Sequence, residues 1–466
     1  EMRPIDSHVI CRMASGRLVA GSHRLLGPVS IDTRTLSPGD TFFCLRGPRF
    51  DSHHFADQAI EKGAKIIVGE LEGVARFSDA VLQSGAAIVA VPSTVRAMGR
   101  IALAARVRFS GPVVGLTGSS GKTTTKEFIA AVLRTAGPTL ATRGNLNNHL
   151  GVPLTLLRLA PEHQYAVVEM GMNAPGEITC LADMVRPDIG VITSVGAAHL
   201  EGLGSIEAVA RAKGELMRYL GPGGLAVIPS NVPHSWVLTS GLRAPLLTVG
   251  ERPSDDVSLI RGREAPSGAV GVIAVEGERY PVSLRLAGRH NLQNALLAVA
   301  VGHQLGIDPG DAIAALEQVM PPRLRGELRQ LPDGGEVMLD CYNANPQSMS
   351  AALQTFNERA PDGLLVLGDM LELGAGATDA HSALGRVVAA LPGEPIFIGV
   401  GPLTRHAVEA ARAAGMPPTR ALAVSNSDDA AQVASSYRDG GRPMLLKGSR
   451  GMALERIYDV LAGKGS

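Results

Sequence analysis

Aromatic side chains are scarce in this chain, at 3% of 466 residues with a single tryptophan. The interior must therefore be filled by alanine, valine, leucine and close glycine contacts, as in α/β domains with tight helix–sheet packing. Cysteine is scarce too. Cys11, Cys44, Cys180 and Cys341 lie far apart and form no C-x-x-C pair, which argues against a zinc cluster or a disulfide framework and fits a reducing compartment. An excess of one charge is missing: 44 basic residues balance 44 acidic ones, so no global field draws nucleic acid or an anionic membrane. No apolar run reaches the roughly 18 residues that would span a bilayer, and the first residues carry no apolar signal core. The expectation is a cytoplasmic protein that neither inserts into membranes nor binds nucleic acid, and that works on small molecules.

The apolar fraction is ample at 45%, and 466 residues exceed one core, so two to four domains are expected. Three blocks emerge: 1–92, 93–322 and 323–466. The first holds strand-like runs at Thr41–Leu45, Lys65–Val68 and Ala87–Val91 and a helix near His54–Lys62. The second opens with a helix over Thr94–Arg108 and the Gly111-Pro112 break. Buried strands then alternate with helices at Val113–Thr117, Tyr165–Met170, Asp188–Val195 and Leu225–Ile228, a parallel-sheet pattern with ligands at the strands' C-terminal ends. From about Asp255 to Leu286 the period shortens around Glu276-Gly277, which predicts a small antiparallel flap beside that sheet; a helix from near Asn291 follows. The third block repeats the α/β alternation over Glu336–Leu339, Leu364–Leu367, Pro395–Val400, Ala421–Val424 and Pro443–Leu446, a Rossmann-like unit. The fold class is α/β, in three domains.

The chemistry concentrates in Thr117-Gly118-Ser119-Ser120-Gly121-Lys122-Thr123-Thr124. A β-branched run ends in a glycine-rich turn and a helix opens with Lys-Thr. Backbone N–H groups there form an anion site, Lys122 adds a point charge for the outer phosphates, and the Thr123 hydroxyl is placed for Mg²⁺. The usual eight-residue pattern needs glycine five residues before Gly121, where this chain has Leu116. Other polar residues sit at strand ends with two readings each. Glu169 closes an apolar strand, as a Mg²⁺ ligand or as a cap of the loop at Gly171. His199 follows the Asp188–Val195 strand, as a ligand or a structural hydrogen-bonder. Lys213 reads by default as a solvated helix lysine. Asn291, at the start of a helix, could be an N-cap. Asp340 to Pro346 ends a strand, as a ligand position or a turn with Asx hydrogen bonds. Asp369, Lys447 and Arg450 lie at equivalent strand ends, suited to anion capture or to a solvated loop.

In this order, the loop Thr117–Thr123, the Gly144–Asn148 segment, Val168–Gly171, 198–202, Ala212–Glu215, His290–Asn294, Arg323, Asp340–Pro346, Gly368–Gly374 and Lys447–Arg450 resemble the motifs of the Mur ligase family of ATP-dependent peptide ligases. The resemblance covers essentially the whole chain. It implies that Lys122 and the loop amides hold the ATP phosphates, with Mg²⁺ on Thr123 and Glu169. It implies a second Mg²⁺ on His199 and on Lys213 carrying a CO₂-derived carbamate. Asn291, Asn294, Arg323, Asp340 and Asn345 would meet the adenosine or γ-phosphate. Ser30, Asp32, Thr33, Arg34 and Phe43 would belong to a UDP-sugar segment, and Asp51-Ser52-His53 stands where the family usually has Asp-Gly-His. Asn145, Asn148, Asp369, Lys447 and Arg450 would contact substrate. The implied reaction joins D-Ala-D-Ala to UDP-MurNAc-tripeptide, in a monomer whose third domain closes on the second about a hinge near Pro321-Pro322. The Asp-Asn-Pro-Arg motif of the relatives that add diaminopimelate or lysine is absent.

Overall fold

The computed structural model describes residues 5–22, 24–47, 50–197, 203–265, 268–438 and 441–463. Strands are numbered in chain order; four helices that bear on the site are numbered α1–α4.

The first sheet contains β1 (Arg17–Ala20), β2 (Val29–Ser30), β3 (Thr41–Phe43), β6 (Ile66–Glu70) and β7 (Ala87–Val91), in the order β1-β7-β6-β3-β2, while β4 (Arg46–Gly47) and β5 (Phe50–Asp51) form a separate ribbon. Pairing is parallel except for β1 against β7. A parallel sheet covered on both faces needs continuous apolar strands, and β7 is buried at every position. The helix Ser7–Ala14 and strands β1 and β2 were not expected from sequence: they are short or half-exposed, without a clear period. Ser52 stands in the glycine position of the family's Asp-Gly-His without strain. It opens a 3₁₀ turn outside the left-handed region, and its Oγ both accepts from Leu45 N at 2.6 Å and donates to Leu45 O at 3.0 Å.

The second sheet has nine strands: β8 (Val113–Thr117), β9 (Thr139–Ala141), β10 (Tyr165–Glu169), β11 (Ile189–Ile192), β12 (Leu225–Pro229), β13 (Leu246–Gly250), β14 (Val257–Ala265), β15 (Gly268–Val275) and β16 (Glu278–Leu284). Their order is β16-β15-β14-β13-β12-β11-β8-β10-β9. The expected flap is antiparallel, but it is not a separate piece beside the sheet. β14 pairs in parallel with β13 and carries β15 and β16 outward as the sheet's edge. Its turn is Glu276-Gly277 with φ of +50° and +89°, the left-handed pair that two-residue hairpins require. The helices used below are α1 (Lys122–Arg134), α2 (Ile206–Tyr219), α3 (Arg289–Gln304) and α4 (Pro346–Arg359).

The third sheet contains β17 (Glu327–Gln330), β18 (Glu336–Asp340), β19 (Leu364–Gly368), β20 (Ile396–Val400), β21 (Ala421–Val424) and β22 (Met444–Lys447), in the order β17-β18-β22-β19-β20-β21. All pairs are parallel except β17 with β18. One core packs on each face, around Phe356 and Phe397 on one side and Ile398 and Leu446 on the other. Inserting β22 between β18 and β19 brings Asp340, Lys447 and Gly368 to one edge, the crevice where open α/β sheets bind ligands.

By packing, the chain falls into two units. One runs to Gly115 and adds Gly137–Gly171 and Ile178–Asp188; the other comprises Leu116–Ala136, Met172–Glu177 and everything from Ile189 onward. No helix among the described residues is long and apolar enough to cross a membrane.

Candidate active site

Leu116 is fully buried inside β8, so the place of the standard loop's first glycine is here a strand position with its side chain in the core. The turn that follows is shaped by close approach. A Cβ on Gly118 would lie 1.9 Å from Thr193 Oγ1, and Gly121 combines φ of +79° with a virtual Cβ 2.7 Å from Asn294 Oδ1. The segment after β11 grips the turn: Ser119 N donates to Ser194 O at 3.0 Å, Ser120 N to Ser194 Oγ at 2.9 Å, and Thr193 Oγ1 to Ser120 O at 2.5 Å. Ser119 Oγ also donates to Gly196 O at 3.1 Å. Thr193, Ser194 and Gly196 were missed from sequence, although two hydroxyl residues at the end of a buried parallel strand were a legible signal. These bonds commit the Ser119 and Ser120 amides within the turn, which leads directly into the start of α1. That start has no side-chain cap from Gly121, and Lys122 Nζ folds back to donate to Gly118 O at 2.7 Å. Thr117, Thr123 and Thr124 are buried along the same turn.

Glu169 ends β10 and is 1% exposed. Asn147 Nδ2 donates to its Oε1 at 2.8 Å, and its own N–H donates to Thr142 Oγ1 at 3.0 Å. The carboxylate is thus aimed by a residue of the Gly144–Asn148 segment that sequence reasoning passed over. Of the two it chose, Asn145 is exposed, and Asn148 Oδ1 accepts from Leu150 N and Gly151 N at a helix start.

Lys213 is not a solvated lysine. It lies on α2, capped at Ser205, and is 1% exposed. Burial holds its pKa well below the ordinary lysine value, and the nearby charge of Lys122 lowers it further. The buried amine is therefore held toward its neutral form, the opposite of what solvent does to an exposed lysine. His199 lies outside the described residues.

Asn291 is not the N-cap of α3. Gly288 takes that place, and Asn291 lies inside the first turn with Nδ2 donating to Ala287 O at 2.7 Å. Asn294 Nδ2 donates to Asn291 Oδ1 at 3.0 Å, so two buried amides form one polar face toward Gly121. His290 beside them keeps solvent contact but is crowded by its surroundings; crowding lowers its pKa, the Lys447 charge adds to this, and Asp340 opposes it. Asp340 Oδ2 accepts from Lys447 Nζ at 2.7 Å, and Lys447, 1% exposed, also donates to Asn343 O at 3.1 Å. The Lys447 charge is thus balanced within the sheet edge. Asn345 is the N-cap of α4, in a reciprocal capping box with Ser348, which realises the Asx-turn reading. Asp369 accepts from Thr404 N at 2.8 Å and Leu403 N at 3.3 Å. Arg450 pairs with Glu455, and Arg323 is exposed.

In the first sheet's loops, Arg34 holds Asp32 in a two-pronged ion pair that draws the Asp32 pKa down. Ser30 Oγ donates to Asp32 O at 2.9 Å and Thr33 Oγ1 to Gln58 Oε1 at 3.3 Å. Phe43 does not fit its expected role. It is fully buried in the core around Ile66 and Val89, because β3 lies inside a sheet covered on both faces, and its ring presents no surface to a substrate.

Residues 28–106 match the Mur ligase family catalytic domain, 116–302 the Mur ligase middle domain, and 324–450 the Mur ligase glutamate ligase domain. The chain is 36% identical, over 96% of its own length and 96% of its relative's, to the UDP-N-acetylmuramoyl-tripeptide–D-alanyl-D-alanine ligase of Escherichia coli (strain K12). Among solved structures it is similar to MurF from Acinetobacter baumannii, with TM-score 0.88, 32% identity and coverage of 99% and 100%. It is also similar to the MurF ligase of Thermotoga maritima in complex with ADP, with TM-score 0.79, 26% identity and coverage of 94% and 97%. With its three domain models matched and a near full-length relative at 36% identity, this chain, which holds a gripped phosphate loop, a buried carboxylate and a buried lysine, belongs to the Mur ligase family.

Proposed function

We infer that this chain is an ATP-dependent ligase that joins D-alanyl-D-alanine to UDP-N-acetylmuramoyl-tripeptide in peptidoglycan precursor synthesis. The near full-length likeness to curated ligases of that name supports the reaction. The observation that carries the chemistry is Lys213, a lysine withdrawn from solvent within the field of Lys122. A module that only bound nucleotide would have no use for a buried amine at that place.

In the reading we propose, the tripeptide's terminal carboxylate attacks the γ-phosphorus of ATP, the bond to the β-phosphate oxygen breaks, and ADP leaves. The amine of D-Ala-D-Ala then attacks the acyl phosphate, phosphate departs, and the amine gives up one proton. Lys122 and the α1 N-terminus lie where phosphate charge builds, so their work is positioning and charge compensation. Mg²⁺ supplies further neutralisation of phosphate charge when bound. Thr123 offers a hydroxyl and Glu169 a buried, pre-aimed carboxylate, the hard oxygens this ion prefers. A neutral Lys213 amine is the form that adds CO₂, and we assign it, with His199, to a second ion as a carbamate. Asn291, Asn294, Arg323, Asp340 and Asn345 remain our nucleotide contacts. Ser30, Asp32, Thr33, Arg34, Asn145, Asn148, Asp369, Lys447 and Arg450 remain our substrate contacts, on domains at 1–92, 93–322 and 323–466. The enzyme acts as a monomer in the cytoplasm.

The test is phosphate release with each substrate withheld in turn. Full turnover is expected only when UDP-MurNAc-tripeptide, D-Ala-D-Ala and ATP are all present; full turnover without either peptide substrate overturns the ligase reading.

A further inference from the structure

The helix that faces the phosphate loop is not capped by its own sequence. α3 begins at Gly288, whose φ is +106° and which has no side chain to offer, so an acceptor must come from elsewhere. It comes from Glu264 at the outer end of β14: Oε1 accepts from Gly288 N at 2.7 Å, with a further backbone hydrogen bond from Arg289. Its other oxygen, Oε2, is buried without a hydrogen-bond partner. The adjoining residue of the strand is held by the third block's α4. Arg359 Nη1 donates to Ala265 O at 2.8 Å, while Nη2 pairs with Glu336 of β18 at 3.1 Å and 3.3 Å. Two consecutive strand residues thus bind α3 on one side and α4 with β18 on the other.

We propose that Glu264 is a positioning residue of the nucleotide site, which caps α3 and, together with Arg359, couples docking of α4 to the placement of Asn291 and Asn294 against the phosphate loop. The inference rests on the nucleotide-site reading above. A carboxylate at a helix N-terminus compensates both the open donors and the positive end of the dipole. Asn294 Oδ1 sits 2.7 Å from the virtual Cβ of Gly121, so a small rotation of α3 changes the loop. The charged groups around Glu264 are Arg263 beside it, Arg289 on α3 (paired with Glu251), Glu358 and Arg359 on α4, and Glu336 behind Arg359. Burial, the largest influence, lifts the Glu264 pKa to about 7, with Glu358 adding to the rise; the bonds from Gly288 and Arg289 and the charge of Arg359 pull the other way. The hydrogen bonds to α3 therefore favour the ionised cap, while the fold as a whole favours the protonated acid.

This opposition separates positioning from simple structural support. A carboxyl whose folded pKa is raised contributes stability below its unfolded value and loses it as pH rises through about 7. At pH 8, E264Q should therefore melt no lower than the parent enzyme. Its KM for ATP should nevertheless rise about threefold to tenfold with little change in kcat, the size expected for losing a charged helix cap. Between pH 6 and 8 the parent's affinity for a non-hydrolysable ATP analogue should improve more steeply than that of E264Q, the nucleotide's own ionisation being common to both. R359K should raise the same KM, and adding it to E264Q should cost less than the sum of the two. If the parent binds the analogue and E264Q matches it in KM and pH profile, the inference is overturned. If the parent itself binds no ATP analogue, the nucleotide-site reading fails instead.

Discussion

In the reading we propose, Lys122 and Lys213 have opposite requirements: Lys122 works as a cation, Lys213 as an amine. Lys122→Ala should lower kcat by about a hundredfold to a thousandfold, the usual effect of deleting one preorganised charge-stabilising donor. Steady-state turnover checks this, and unchanged turnover would remove the loop from the chemistry. For Lys213 the sign follows from proton binding. Its folded pKa is depressed, so below the ordinary lysine value the unfolded chain binds more proton there than the folded chain does. Stability from this residue therefore rises with pH up to the ordinary lysine value. Without CO₂, Lys213→Met should be at least as stable as the parent at pH 7, and the difference should shrink toward pH 10. Chemical denaturation at both pH values measures it; a variant less stable at pH 7 than at pH 10, relative to the parent, contradicts a neutral buried amine. The lysine shows why site residues were unevenly legible. Gly118, Gly121 and Lys122 carry a local pattern that only one turn geometry satisfies. Burial of Lys213 is set by what packs over α2, and nothing within its own segment encodes that. Ser194 and Asn147 act through partners far away in sequence, and the Phe43 ring was misjudged because a core aromatic and a binding aromatic look alike in one dimension.

At the scale of elements, the departure at Leu116 is explained by where β8 ends. In this chain the strand runs one residue beyond Leu116, and the shorter turn is gripped from the side by the segment after β11. Supplying the standard glycine would undo that economy. Leu116→Gly should cost about 3–5 kcal/mol, combining a core cavity with the loss of a strand former; thermal or urea unfolding reads it. A cost below about 1 kcal/mol would mean that the site collapses around the missing side chain. The Lys447–Asp340 pair between β22 and β18 makes a second case. Because Lys447 is buried and carries the edge's compensating charge, Lys447→Met should destabilise by about 3–5 kcal/mol, and adding Asp340→Asn should recover much of it. An additive double variant would show that the two charges are not coupled. Strands buried on both faces were read correctly because their apolar runs are continuous. The strands that escaped, β1, β2, β4, β5, β9, β13 and β17, are two to five residues long, too short for a period of their own to show. The flap was recognised by its turn chemistry, but its attachment to β13 is a tertiary fact.

For the whole molecule, the partition into two units is informative because it cuts through the middle sheet rather than around it. The unit that begins at Leu116 contains α1, α2, α3 and the entire third sheet, whereas the sheet of β1, β2, β3, β6 and β7 lies wholly in the other. Nucleotide binding should therefore be felt unequally. A ligand at 100 times its dissociation constant stabilises what it binds by about 2.7 kcal/mol, equivalent to about a hundredfold drop in the open population. Hydrogen exchange with an ATP analogue should show that protection in α1, α2, α3 and the segment 193–197. Amides of β3, β6 and β7 should exchange at their unliganded rates, unless their opening requires the other unit to open first. Lys122→Ala should remove the gain in the first group and leave the second unaltered. Equal protection of both sheets in the parent would mean that the two units open as one, and the nucleotide would then act on the stability of the whole chain rather than on the unit that carries its loop.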